Sequence, residues 1–223
     1  MNIICLLCGQ SLPEKTSFTD LLLLKKQKTK KCCHTCLNKF QKISEQHCPN
    51  CYHDKNTKLC NDCLKWEKLG NEVKHKSCFI YNEAMKEYFS KYKFHGDYVL
   101  HTIFADILSK ELKQWSHYSI VPIPLSSEKF QKRGFNQVSA ILEAAKINYN
   151  DILIKKDTVS QSSKNRRERL NSQQPFALKP SISLPEKILL VDDVYTTGTT
   201  LWLAKKLLLE EGVKEILTFS LTR

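Results

Sequence analysis

The chain has 223 residues and carries 35 Lys and Arg against 23 Asp and Glu, a formal net charge of +12. That length accommodates one medium domain and a small one, with ample core. No apolar run reaches membrane-spanning length, because Leu21 to Leu24 meets Lys25 and Lys26 at once; a spanning helix is excluded and no stable membrane insertion is expected.

The opening MNIICLLC lacks the basic start of a signal peptide, so a cytosolic location is expected. The basic excess favours polyanionic partners such as nucleic acid, acidic phosphates or a charged protein surface, with a merely solvated basic face as the plain alternative. Nine of the ten cysteines precede residue 64, and eight form C-x-x-C knuckles: Cys5/Cys8, Cys33/Cys36, Cys48/Cys51 and Cys60/Cys63. In a reducing compartment this pattern reads as metal binding, since two knuckles supply the four thiolates of a tetrahedral zinc site. Two structural Zn²⁺ sites are expected. Pairing first knuckle with second and third with fourth is the simplest arrangement; interleaved pairing uses the same residues, and thioredoxin-type redox knuckles are the rival reading. Cys32 and Cys78 are left as ordinary thiols, with His34, His47 and His53 as reserve ligands.

Metal would temper the charge. Residues 1–78 hold 14 lysines against 7 acids, and eight thiolates with two Zn²⁺ subtract four charges, taking the chain from +12 to +8. Lys25, Lys26, Lys28, Lys30 and Lys31 form a dense run between the first two knuckles, suited equally to phosphate contact and to plain solubility.

A zinc-ribbon domain over 1–70 is thus expected to lead, through a polar linker at Gly70 to Lys76, into a second domain over 77–223. There the pattern predicts a short strand at Cys78 to Tyr81, a helix at Glu83 to Tyr92, and one amphipathic helix over Asp97 to Leu112 with Val99, Leu100, Ile103, Phe104, Ile107 and Leu108 in a stripe. Lys91 and Lys93 precede the Gly96 turn, which reads as a helix connection near enough to approach an anion. Ser119 to Pro124 reads as a strand cut short by proline. Lys129, Lys132 and Arg133 then crowd a basic loop before Gly134 and a helix over Gln137 to Lys146, whose Val138, Ile141, Leu142 and Ala145 face inward. Such a loop belongs at the carboxyl end of a parallel sheet, where pyrophosphate is the obvious guest and generic surface charge the alternative.

Asp151 to Lys155 is a further short strand, followed by the polar, arginine-rich QSSKNRRERLNSQQPF. Lys187 to Val191 is a buried parallel strand leading to the acidic pair Asp192 and Asp193 and the Thr-rich turn Thr196, Thr197, Gly198, Thr199, Thr200. Free amides at the start of the next helix, Leu201 to Glu211 with Gly212 beyond its end, make a ready anion site. The two carboxylates upstream can take sugar hydroxyls or a magnesium ion that bridges a polyphosphate. Ile216 to Leu221 closes a mostly parallel α/β sheet with right-handed crossovers.

ILLVDDVYTTGTT resembles the phosphoribosyl pyrophosphate (PRPP) motif of the type I phosphoribosyltransferases. That resemblance implies Asp192 and Asp193 on the ribose hydroxyls, Tyr195 and Thr196 to Thr200 around the 5-phosphate, and Mg²⁺ arriving with PRPP. Together with VPIPL, KRGFNQ and the four knuckles, the chain resembles the ComF family of late-competence proteins: zinc ribbons joined to a type I phosphoribosyltransferase-like α/β domain. The family resemblance implies a role in uptake of transforming single-stranded DNA, a DNA-translocation motor of the ComFA helicase type as partner, and a cytoplasmic place at the inner membrane face through partners. It assigns Arg133 to Gln137 to a site-proximal loop. In transferases of this fold a flap covers the substrate, and the 161–176 stretch stands where it would lie. Lys129, Arg133, Gln161 and Arg169 are the pyrophosphate or flap candidates. The chain keeps the family's Gln161, Glu168 and Arg169 but has Lys164 where Leu is usual and Ser172 where Asn is usual. The resemblance leaves catalysis open between a PRPP-binding competence protein, an active salvage phosphoribosyltransferase and a DNA-holding adaptor whose stacking aromatics would be Tyr92, Phe94, Phe130 and Phe135.

Overall fold

The computed structural model describes residues 3–12, 31–94, 96–156 and 174–223. Lys25, Lys26, Lys28 and Lys30 of the basic run, and Gln161, Lys164, Glu168, Arg169 and Ser172 of the expected flap, lie outside the described residues.

The centre is a 4-stranded, wholly parallel sheet built from β1 (His75–Phe79), β2 (Ser119–Pro122), β5 (Lys187–Val194) and β6 (Glu215–Thr222), in the order β1-β6-β5-β2. Strand side chains alternate between faces, and both faces of β5 are covered. Leu189 and Val191 join Phe219 and Leu221 under one set of helices: α3 (Glu83–Phe94), α4 (Ala105–Glu111) and α6 (Gln137–Ala144). Ile188 and Leu190 pack on the other side against α7 (Thr199–Glu210). This double cover explains the unbroken apolar run ILLV. A separate antiparallel ribbon pairs β3 (Leu153–Lys155) with β4 (Phe176–Leu178), the two strands standing before and after residues 157–173.

Several elements differ from the sequence reading for identifiable reasons. Strand β1 starts at His75, inside the expected linker. Its polar residues face polar partners: His75 bonds Thr218 Oγ1 at 2.9 Å, Ser77 Oγ at 2.8 Å and Ser220 Oγ at 3.1 Å, a buried network that leaves no hydrophobic signature. The single helix over Asp97 to Leu112 is instead a 3₁₀ turn (Tyr98–Thr102), α4 and a second 3₁₀ turn (Leu112–Trp115). Tyr88 Oη and the Ile103 amide both donate to Leu100 O, the acceptor a continuous α-helix would give to residue 104. The basic loop is a helix, α5 (Ser127–Arg133), with no buried residue and hence no apolar stripe to betray it; Gly134, at φ 81°, ends it. Finally, Asp192 and Asp193 lie in β5 itself, which stays paired with β6 as far as Val194↔Thr222.

The cysteine-rich segment carries a one-turn helix α1 (His34–Leu37) and α2 (Asn61–Lys68). Its Phe40 sits 5.0 Å from Phe104 and 6.1 Å from Tyr88 in edge-to-face contact, so it enters the main core beneath α3 and α4. None of the helices among the described residues is long and apolar enough to cross a membrane. Phe104 is fully buried where these rings converge, and Phe104→Ala is expected to cost about 3–5 kcal/mol, read as a lower urea midpoint; a loss below about 1 kcal/mol would mean the cluster is not the packed centre described.

Candidate functional site

The acidic pair divides between the two faces of the sheet, as strand alternation requires. Asp193 follows Leu189 and Val191 toward the α3 side, where Lys93 Nζ meets its Oδ2 at 2.6 Å with both side chains largely buried. That contact is an ion pair without hydrogen-bond alignment, and Asp193 Oδ2 has no hydrogen-bond donor. Lys93 Nζ also rests 4.3 Å above the Phe89 ring. Asp192 Oδ1 accepts the Asp193 amide at 2.8 Å. Burial and the neighbouring Asp193 push the Asp192 carboxyl up to about 7, against the pull of that amide and of Lys93 and Lys155.

Further cations stand round the pair. Lys155, at the end of β3, is buried enough to lower its pKa, while Asp192 and Asp193 hold it charged and Lys129 on α5 opposes them. Arg133 closes α5; burial lowers its pKa and Asp193 raises it. Its Nε donates to Lys93 O at 3.3 Å and its Nη1 to Gln137 Oε1, so Arg133 also fixes the backbone that carries Lys93.

Past the acids, Tyr195 turns inward and is buried; Thr196 and Thr197 are exposed. Gly198 caps α7 at φ 79° with no side-chain cap bond, so the first-turn amides of α7 have no side-chain acceptor there. Thr197 and Thr199 share a hydroxyl hydrogen bond of 2.9 Å. The chemistry on offer is a helix N-terminus, four threonine hydroxyls, two carboxylates and a ring of cations at the carboxyl end of a parallel sheet. Beside it, a cleft of 590 Å³ is lined by Tyr98, Phe130, Phe135, Tyr149 and Lys155; it does not extend over the Thr-rich turn.

The cysteines form two tetrads in sequential pairing, Cys5/Cys8/Cys33/Cys36 and Cys48/Cys51/Cys60/Cys63, with the sulfurs of each within 4.8 Å of one another. No disulfide joins them. Tetrahedral zinc at its usual bond length sets its sulfurs about 3.8 Å apart; here Cys8 and Cys33 stand at 3.8 Å, Cys48 and Cys63 at 3.7 Å, Cys51 and Cys60 at 3.4 Å. Backbone amides aim at sulfur, Cys33 N to Cys5 Sγ at 3.3 Å and Cys60 N to Cys48 Sγ at 3.4 Å. Burial raises these thiols; at Cys5 and Cys48 the surrounding amides win, bringing them down to about 6 and about 7, while burial and neighbouring cysteines keep Cys36, Cys51 and Cys63 raised. Both donor sets fit Zn²⁺. Cys32 stays outside the first tetrad, 3.9 Å from Cys5 Sγ, and none of the reserve histidines joins a tetrad among the described residues.

Residues 102–222 match the family model described as Phosphoribosyl transferase domain. Over 98% of the chain and 99% of the relative, the sequence is 47% identical to "Competence protein ComFC" of Streptococcus pneumoniae. It is 34% identical to "Competence protein ComFC" of Bacillus subtilis, over 100% of this chain and 95% of that one. The chain belongs to the ComF family. Among solved structures, a hypoxanthine phosphoribosyltransferase from Staphylococcus aureus aligns with 55% of the chain and 63% of its own at 18% identity and a TM-score of 0.35.

In this ComF-family chain the KRGFNQ stretch acts mainly as a corner. Asn136 caps α6 by accepting the Val138 amide at 2.9 Å and ties it to β2 through Nδ2 to Ile123 O at 2.9 Å. Phe135 packs 4.9 Å from Tyr98 and 5.2 Å from Tyr92, and Gln137 is buried with its carbonyl on Tyr92 Oη. Of the motif only Arg133 faces the acids. Lys91 pairs with Glu87 at 2.8 Å, away from the acids, while Lys93 reaches in. Sequence reading passed over Lys155, Trp66 and Arg223, and gave Lys93 only a turn's role. These residues meet the site from 27 to 131 positions away, and no local pattern marks them.

Two measurements follow. Thiol titration is expected to release two Zn²⁺ per folded chain, with chelation unfolding the cysteine-rich segment; a segment that keeps its structure without metal contradicts the assignment. The raised Asp192 carboxyl keeps a proton in the folded chain that the unfolded chain gives up near pH 4. Its stabilising contribution is complete below that pH and is lost as pH rises through about 7. Asp192→Asn should remove this dependence, so that its urea midpoint exceeds the parent's at pH 8 by more than at pH 5; an equal difference at both contradicts the shift.

Proposed function

We propose that the chain is a late-competence protein required for uptake of transforming single-stranded DNA, and that its α/β portion binds PRPP with Mg²⁺. The observation that carries the ligand reading is the convergence of Asp192 and Asp193 with Lys93, Arg133 and Lys155 beside an amide-rich helix start. Thr196 to Thr200 take the 5-phosphate and the carboxylates take the ribose hydroxyls. Lys129 and Arg133 take pyrophosphate, completed by Gln161 and Arg169 of the flap. Magnesium supplies the charge that couples pyrophosphate to the acids. Tyr195 contributes from below the turn, as its support.

The competence reading is supported by relatives of that name matched over nearly the whole chain. We divide the protein into a zinc-ribbon domain over 1–70 and a transferase-type domain over 77–223. Single-stranded DNA and a ComFA-type helicase are its partners, at the cytoplasmic face of the membrane. Exposed Phe94 and Phe130 are free to stack on bases, whereas Tyr92 is buried and is not. The cleft lined by Tyr98, Phe130 and Phe135 favours a second reading, an active phosphoribosyltransferase of nucleotide salvage, because it offers a planar base a place beside Lys155.

Calorimetric titration with Mg²⁺ is expected to show PRPP binding far more tightly than inorganic phosphate, and Asp192→Asn/Asp193→Asn to weaken it about 10-fold or more. The same variant should fail in a transformation assay. Equal affinity for PRPP and phosphate sinks the ligand reading; normal transformation by the variant separates the site from competence. Pyrophosphate release from PRPP upon addition of a base would favour the salvage enzyme.

A further inference from the structure

The Thr-rich turn stands on the second cysteine tetrad. Trp66 lies one helical turn after Cys63 on α2, and its indole Nε1 donates to Thr197 O at 2.9 Å. The same ring packs 5.2 Å from Trp202 in the first turn of α7. Arg223, its side chain only 4% exposed, donates from Nη1 to Thr196 O at 3.2 Å, while Nη2 lies 3.9 Å from Cys60 Sγ and 3.7 Å from Asp62 Oδ2. Below the turn, the Tyr195 ring is covered by the Arg223 guanidinium at 4.5 Å and packs, tilted by 37°, against His75 at 4.1 Å. The His75 amide donates to Asn50 O, between Cys48 and Cys51. A Cβ at Gly198 would stand 2.3 Å from Tyr195 Oη, so the turn lies directly on that phenol.

Both knuckles of one metal centre therefore reach the turn, one through Trp66 and Arg223, the other through His75 and Tyr195. In a trans peptide the carbonyl and the following N–H point in opposite directions. Holding Thr196 O and Thr197 O toward the tetrad turns the amides of Thr197 and Gly198 away from it. We propose that the second tetrad sets the anion turn: with metal on Cys48, Cys51, Cys60 and Cys63, Trp66 and Arg223 act as positioning residues that present the turn's amides to a phosphate. Among the described residues the first tetrad makes no bond to the turn and packs with Phe40 and Leu12 instead. Four thiolates around one Zn²⁺ carry a net charge of −2, the counter-charge beside which the Arg223 guanidinium is buried. By linkage, phosphate on the turn raises the affinity of the second tetrad for its metal and leaves that of the first unchanged. The ligand half of this inference rests on the phosphate reading of residues 196–200; the mechanical half does not.

The test uses the full zinc-loaded chain with ribose 5-phosphate as probe. Trp66→Phe keeps the ring and removes the donor; Arg223→Gln removes the charge. Both are expected to retain two zinc ions, bind the probe about 5- to 10-fold more weakly, and show faster deuterium exchange at the amides of residues 197–201. Cys63→Ser should speed the same exchange, and Cys8→Ser in the first tetrad should leave it unchanged. Unaltered exchange in Trp66→Phe and Arg223→Gln overturns the proposal, as does an equal effect of Cys8→Ser. If the parent itself does not bind ribose 5-phosphate, the phosphate reading falls while the exchange data still decide the coupling.

Discussion

Burial of β5 on both faces is the constraint on which the rest depends. A strand with helices on one side and α7 on the other must be apolar as far as it is covered, and ILLV meets that demand. Where the cover ends, the same alternation that sent Leu189 and Leu190 to opposite cores sends Asp193 and Asp192 to opposite sides of the sheet's end. Neither carboxylate can be balanced by a residue of its own strand. The counter-charges come from elements that cover each face: Lys93 from α3, Lys155 from the β3–β4 ribbon.

Cysteine solves a different problem. Among the described residues, the segment before β1 has little regular structure, one single-turn helix and one of two turns, yet it places Phe40 in the main core and Trp66 under the Thr-rich turn. Two tetrads whose sulfurs suit zinc stand where hydrogen-bonded elements are sparse among the described residues. The cysteine-rich segment is therefore continuous with the core on one side and with the candidate site on the other.

What the sequence disclosed follows from range. The knuckles, the β5 run and the Asp-Asp-x-x-Thr-Thr-Gly-Thr-Thr order are local and could be read directly, whereas the pairing of the knuckles stayed open between sequential and interleaved until the fold brought their sulfurs together. Helix α5 escaped because a helix with no buried face has no periodicity to detect. The first half of β1 escaped because its buried side pairs imidazole with hydroxyls instead of apolar groups. Lys93, Lys155, Trp66 and Arg223 become part of the site only through the fold, since each arrives from a different element and none sits in a motif.

The Lys93–Asp193 contact has one more consequence. Without a ligand Lys93 and Asp193 already neutralise each other, so a lone anion taken by Lys93 or a lone cation taken by Asp193 must break that pair and strand its other half in a largely buried place. A guest that brings both signs exchanges one internal pair for two external ones, its cation on the carboxylate and its anion on the ammonium. At this pair, then, a guest's balance of charges weighs before its shape.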